Sequence, residues 1–140
     1  MANTLDRQIT LDGYRNFVVK WTGVLDTQDI DEAPALSISD AKNNEPRLTL
    51  VGFRVDIIEY SIGNGIEVNL SWNGDNPQQI FPLSGRGKIN GWNYGGYMPD
   101  MTRAGYDGDI NLSTTGFANQ LGASPQNFTL AVEFVKLYAS

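Results

Sequence analysis

The sequence predicts an all-β protein, a single-domain β-sandwich or jelly roll of about eight antiparallel strands. Three observations predict it. Apolar residues alternate with a period of two in run after run, the mark of half-buried strands. Turn chemistry separates those runs: Gly63-Asn64-Gly65, Asn73-Gly74-Asp75-Asn76-Pro77 and Ser84-Gly85-Arg86-Gly87. Helical spacing of apolar residues at i, i+3, i+4 and i+7 is almost absent. Strands joined by turns, with no helices between them, close into sandwiches, jelly rolls or barrels.

The elements follow in order. Residues 1–12 are expected to form an extended N-terminal arm, because Leu5, Ile9 and Leu11 precede a turn at Asp12-Gly13. Such an arm adds a strand to a neighbouring molecule by backbone pairing. In residues 16–24, Phe17, Val19 and Trp21 fall on one face, with Val18 and Lys20 on the other. Residues 47–62 are a long β-rich run. Simple alternation there places Leu48, Leu50, Gly52, Arg54 and Asp56 against Thr49, Val51, Phe53, Val55 and Ile57. After the glycine turn, Ile66, Val68 and Leu70 share a face in a run ending at Trp72. Short strands are expected at 78–83 and 88–92. Residues 108–115 set Ile110 and Leu112 against Asp109, Asn111 and Ser113. The last run, 127–138, places Phe128, Leu130, Val132, Phe134 and Lys136 on one face. The runs near 48–62 and 127–138 are the expected central strands. Apolar groups on both of their faces point to an outer face that serves as an interface.

The chain has 140 residues, the size of one domain, 1–140, with no linker, repeat or low-complexity tract. Its 10 Lys plus Arg against 16 Asp plus Glu give a net charge of −6, which disfavours a protein that coats a phosphate backbone. No Cys and no His are present. That removes disulfides, thiolate nucleophiles, zinc fingers, Ser–His triads and a near-neutral imidazole base. No apolar run approaches the length of a membrane span, and the first residues lack the pattern of a secretion signal. The sequons at Asn69, Asn111 and Asn127 are read as strand composition.

Candidate chemistry is sparse. Gly85-Arg86-Gly87-Lys88 resembles a phosphate loop, but Ile89 follows the lysine and no helix is expected after it. Asp26, Asp29, Asp31 and Glu32 make one acidic loop; Asp100, Asp107 and Asp109 make another. The first lacks the spacing of a calcium hand and holds no glycine, while the second has Gly105 and Gly108 nearby; both read as solvated loops, with calcium binding as the alternative. Paired carboxylates for glycoside hydrolysis lack a cleft-forming insertion. The chain is therefore expected to be non-enzymatic, with no catalytic residue, no metal and no cofactor.

The unusual stretch is residues 90–106, a long loop with Trp92, Tyr94, Tyr97, Met98, Met101, Arg103 and Tyr106. Three readings compete. The aromatics can fold back and cap the sandwich. They can form a protein contact, since interface cores collect Trp, Tyr, Met and Arg. Trp92, Tyr94 and Tyr97 can instead stack on sugars, as in a carbohydrate-binding module. Protein contact leads, with Trp92, Tyr94, Tyr97, Met98 and Met101 as interface residues, joined by Leu5 and Ile9 from the arm.

Several segments together resemble small β-rich proteins encoded among the virion genes of tailed bacteriophages. They are residues 12–23 (DGYRNFVVKWTG), 57–62 (IIEYSI), 68–72 (VNLSW), 108–116 (GDINLSTTG) and 128–136 (FTLAVEFVK). The resemblance implies a virion structural protein made in the host cytoplasm, in the first place a capsid decoration (cement) protein on the head surface. A neck, tail-tube or fibre-base component is the second implication. The implied partners are the major capsid protein or other virion proteins and further copies of the chain, a homotrimer foremost. Neither nucleic acid nor membrane is implied as a partner.

Overall fold

Two strands fix the frame: β2 alternates along its whole length, and β9 does so from Asn127 to Phe134, beyond which Val135 is buried as well. β2 (Asn16–Leu25) buries Phe17, Val19, Trp21 and Leu25. β9 (Gln126–Ala139) buries Phe128, Leu130, Val132 and Phe134. They pair antiparallel in unbroken register from Asn16↔Val135 to Leu25↔Gln126. Every second side chain of both strands therefore points to one side, and that side is the core. The computed structural model describes residues 3–26, 28–63, 65–91, 95–117 and 125–139.

Two antiparallel sheets stack over this core. The larger has the order β1-β2-β9-β4-β7, with β1 (Thr4–Asp12), β4 (Thr49–Ile62) and β7 (Arg86–Asn90). The smaller has the order β3-β8-β5-β6, with β3 (Ala33–Leu36), β5 (Glu67–Trp72), β6 (Gln78–Leu83) and β8 (Ile110–Thr115). The architecture is a β-sandwich of nine strands among the described residues, plus one 3-10 turn at Ile38–Asp40. Aromatic rings knit the core. Phe17 stacks on Phe53 with centroids 5.2 Å apart, Phe53 meets Phe134 at 5.5 Å, and Trp21 sits edge-on to Phe134 at 6.2 Å.

The expected N-terminal arm is extended but docked. Residues 4–12 form the edge strand β1, paired with β2 from Thr4↔Val24 to Asp12↔Phe17. Leu5 and Ile9 turn inward and pack against the core of their own chain. Burying them beside Trp21 removes apolar surface that a free arm would leave in water. Arg7 lies between them on the same inward side. Its guanidinium reaches Asp40 at 2.5 Å and the Ala35 carbonyl at 3.5 Å. An inward-pointing charge on an edge strand discourages pairing with a further strand. On the far edge of the smaller sheet, Pro82 in β6 removes one backbone donor and has the same effect.

The faces expected for residues 47–62 are corrected by two bulges in β4. The register shifts between Leu50 and Gly52 and again between Val55 and Ile57. Each bulge inserts one extra residue and reverses the alternation after it. Leu50, Phe53, Val55, Ile58 and Ile62 all reach the core, although simple alternation separates them.

Candidate contact surfaces

The loop after β7 is built by a shortage of strand. β7 pairs with β4 only from Ile57 to Ser61, so the backbone of β4 before that point would stand unpaired at a sheet edge. Buried backbone polar groups need partners. Three aromatic residues supply them. Tyr97 exchanges both backbone hydrogen bonds with Val55, at 2.9 and 2.7 Å. The Trp72 indole donates to the Phe53 carbonyl at 3.3 Å, and the Tyr106 hydroxyl donates to the Val51 carbonyl at 2.9 Å. Burial, together with Asp107 and Asp109, pushes the Tyr106 phenol up to about 12. The capping reading of the loop thus holds for Tyr97 and Tyr106. The Tyr97 ring packs on Phe81 at 5.7 Å, so it is not a free stacking platform. Trp92 and Tyr94 lie outside the described residues.

Between these anchors the loop is pegged to the neighbouring turn. Gln78 accepts from the Asp100 amide at 2.6 Å, and Arg103 donates to the Asn76 carbonyl at 3.1 Å. Asp100 accepts from the Thr102 hydroxyl at 2.6 Å and from the Thr102 amide at 3.1 Å. These bonds, the hydroxyl first, hold the Asp100 carboxyl below its ordinary range, and Arg103 adds to the effect. Gly96, at φ +85°, lies against a half-buried ion pair of Arg54 and Asp56 at 2.8 Å. A side chain there would strike both groups.

What this bracing leaves outside is apolar. Met98 is 48% exposed and Met101 40%. Leu11 and Tyr14, at the β1–β2 hairpin, are exposed as well. All four sit toward the same end of the sandwich, the end that carries the β1–β2 hairpin and the 73–77 turn. Tyr14 donates its hydroxyl to Glu45; that bond, ahead of all other causes, raises its pKa.

The acidic loops are occupied by the chain itself. Asp29 accepts from the Thr114 hydroxyl and the Phe117 amide, both at 3.1 Å. Asp107 accepts from the Asp109 amide and from Asn73, and Asp109 accepts from the Ile38 amide. Among the described residues no three such side chains converge as metal ligands would. Gly85, at φ +72°, turns the chain from one sheet to the other; strand β7, not a helix, follows it, so no phosphate cradle forms.

Sequence reasoning placed Lys136 on the inward face without a role for it. The structure supplies one. Its side chain is fully buried, with the ammonium 2.5 Å from Asp12 Oδ1, 2.7 Å from the Lys42 carbonyl and 5.8 Å from the Phe17 ring centroid. The pair ties the end of β1 to β9 and to the loop before β4. A charged residue at a core-facing position of an alternating strand was the available signal; its partner, 124 residues away, was not.

Comparison with family models, with curated proteins and with solved structures finds no match for this chain.

Proposed function

We propose that this chain is a non-enzymatic structural part of a tailed-phage virion, a decoration protein that binds the outside of the head and stabilises the shell. The observation that carries the reading is that Tyr14, Met98 and Met101, exposed apolar groups on loops at the two edges of the sandwich, all lie toward one end of it. Exposed methionine and aromatic groups of this kind mark contact surfaces. The polar chemistry points the same way. Lys136–Asp12, Arg54–Asp56 and Arg7–Asp40 serve as internal braces, and among the described residues every buried side-chain nitrogen and oxygen has a partner. A protein whose charges brace its own fold suits a load-bearing part better than a catalyst. Copies bound side by side on a shell stabilise it by mass action.

The test is cosedimentation with expanded shells of tailed-phage major capsid proteins. Saturable, stoichiometric binding and a higher dissociation temperature of the shell are expected. Replacing Met98 and Met101 by Gln is expected to weaken binding about tenfold while leaving the fold intact. A chain that ignores shells overturns the reading. Binding to isolated necks, tails or fibre bases instead selects the second virion placement.

A further inference from the structure

We propose that the outer face of the five-stranded sheet is where two copies of this chain pair, face to face, about a two-fold axis running along β9. The strand order β1-β2-β9-β4-β7 places β9 in the middle, with two strands on each flank. Rotation by half a turn about β9 therefore lays β2 over the partner's β4 and β1 over its β7, at the same level along the strands. The same rotation carries a uniformly twisted sheet onto a surface parallel to itself. The native twist thus leaves the two faces in contact, as in aligned sheet packing.

The side chains fit this operation. Lys20 and Glu59 are both paired with Ala131 in the sheet, so they share a level on opposite flanks. In the pair, Lys20 of each copy meets Glu59 of the other. One level along, Asp6 and Arg86 stand on the two outer strands, joined through Thr22, Thr129 and Ser61. They too meet as opposite charges. On the other side, Val18 and Ile57 flank Glu133, and each covers the other's counterpart. Leu11, 48% exposed at the edge beyond Val18, gains cover from the partner's β7 side. The small residue Ala131 lies on the axis, where the two sheets come closest.

Charge balance supports the same occupant. The chain carries a net charge of −6. Yet, besides the internal Arg54–Asp56 pair, this face sets three acids (Asp6, Glu59, Glu133) beside three bases (Lys20, Arg86, Lys88), with Glu59 3.7 Å from Lys88 of its own chain. It also carries Val18 and Ile57, both half-buried. The outer face of the smaller sheet bears Glu67, Asn69, Ser71, Asn111 and Ser113, with Gln79, Pro34 and Pro82 on its edge strands and no base among them. Opposite charges that can meet their counterparts in a second copy stand on the larger sheet's face. Five strands about 4.8 Å apart and about ten residues long at about 3.4 Å each cover about 800 Å² per copy, the size of a standard stable interface. One contact opposes the pairing: Glu133 meets its own counterpart on the axis.

The experiment is sedimentation velocity on the full chain at micromolar concentrations and low salt, with circular dichroism as the fold control. The wild type is expected to be a dimer. Lys20→Glu alone and Glu59→Lys alone are each expected to weaken it about 10- to 100-fold, since each sets like charges opposite one another. The double variant Lys20→Glu/Glu59→Lys restores the dimer. Glu133→Gln tightens it about threefold or more. A folded wild type that stays monomeric at tens of micromolar, or that forms a trimer, overturns the proposal. So does a dimer indifferent to both reversals, or a folded double variant that does not recover. The shell-binding reading has a separate assay, so either proposal can fail alone.

Discussion

Replacing Asp12 by alanine removes the carboxylate 2.5 Å from the Lys136 ammonium and leaves a cation whose side chain has no exposed surface. The Lys42 carbonyl, at 2.7 Å, and the Phe17 ring remain near it, but neither carries a compensating charge. Breaking a buried pair from one side costs about 3–5 kcal/mol. Asp12 keeps 16% of its side-chain surface, so some water reaches the site, and about 3 kcal/mol is the expected loss. For a chain of this length that lowers Tm by about 10 °C. The opposite truncation behaves differently. Lys136→Met keeps the volume beside Phe17 and removes the buried charge. Asp12 then retains the Lys42 amide at 3.1 Å and its contact with solvent. Its cost is expected at about 1 kcal/mol. The double variant Asp12→Leu/Lys136→Met is expected near wild type, since apolar groups of similar size replace a buried pair at little cost. Urea unfolding of the four proteins closes the double-mutant cycle, with an expected coupling of about 2 kcal/mol or more. Single losses that are equal and simply additive would refute the reasoning, because the asymmetry rests on which charge is left behind.

Three further outcomes are expected. The Tyr106 phenol lies at about 12 in the folded chain against an ordinary 10.0. The unfolded chain therefore gives up this proton first. Stability holds below pH 10 and falls as pH rises from there through about 12. Two pH units correspond to about 2.7 kcal/mol at most, and half-exposure reduces that to about 1 kcal/mol. Urea midpoints measured across this range should show the fall, and Tyr106→Phe should lessen it. Gly23→Ala drives a Cβ to 2.2 Å from the Phe128 ring, and an overpacking cost of about 1–3 kcal/mol is expected in thermal unfolding. Adding Phe128→Leu should recover part of that loss. Trp21→Phe removes the indole bond to the Ala35 carbonyl at 3.1 Å, and chemical unfolding should register a loss of about 1–2 kcal/mol.

The sequence was most legible where alternation runs unbroken. β2, β5, β8 and most of β9 bury the side chains that a period of two selects, because the extra residue at each register shift lies in the partner strand and not in these four. β4 was legible as a strand but not in its faces. A bulge leaves no trace in apolar spacing until the partner strand is known, and β4 carries two against β9. Leu5, Ile9 and Leu11 ahead of the turn at Asp12-Gly13 fit an arm as well as a docked edge strand; Asp40, the group that pairs with Arg7 and helps hold β1 in place, lies 33 residues on. β3 was missed, since four residues beside an acidic loop carry no periodicity. The loop of residues 90–106 was legible in composition but not in use. Whether its tyrosines face outward depends on where β7 ends relative to β4, a matter of strand length that local sequence does not contain.

The contact surfaces follow from the same division. The two broad faces of the sandwich differ in kind, one polar with a single carboxylate, Glu67, the other carrying charges of both signs beside Val18 and Ile57. The bulged strand β4, too long for its short neighbour β7, draws the loop across its edge and leaves Met98 and Met101 at one end. A two-fold axis along β9 preserves the direction of every strand, so both copies of the proposed pair present that end to the same side. A pair built on a perpendicular axis would point the two ends apart. The pairing and the shell-binding reading are thus compatible for a geometric reason: closing the outer faces of the larger sheets together brings Tyr14, Met98 and Met101 of both copies to the side that meets a shell and leaves the polar faces of the smaller sheets turned to solvent.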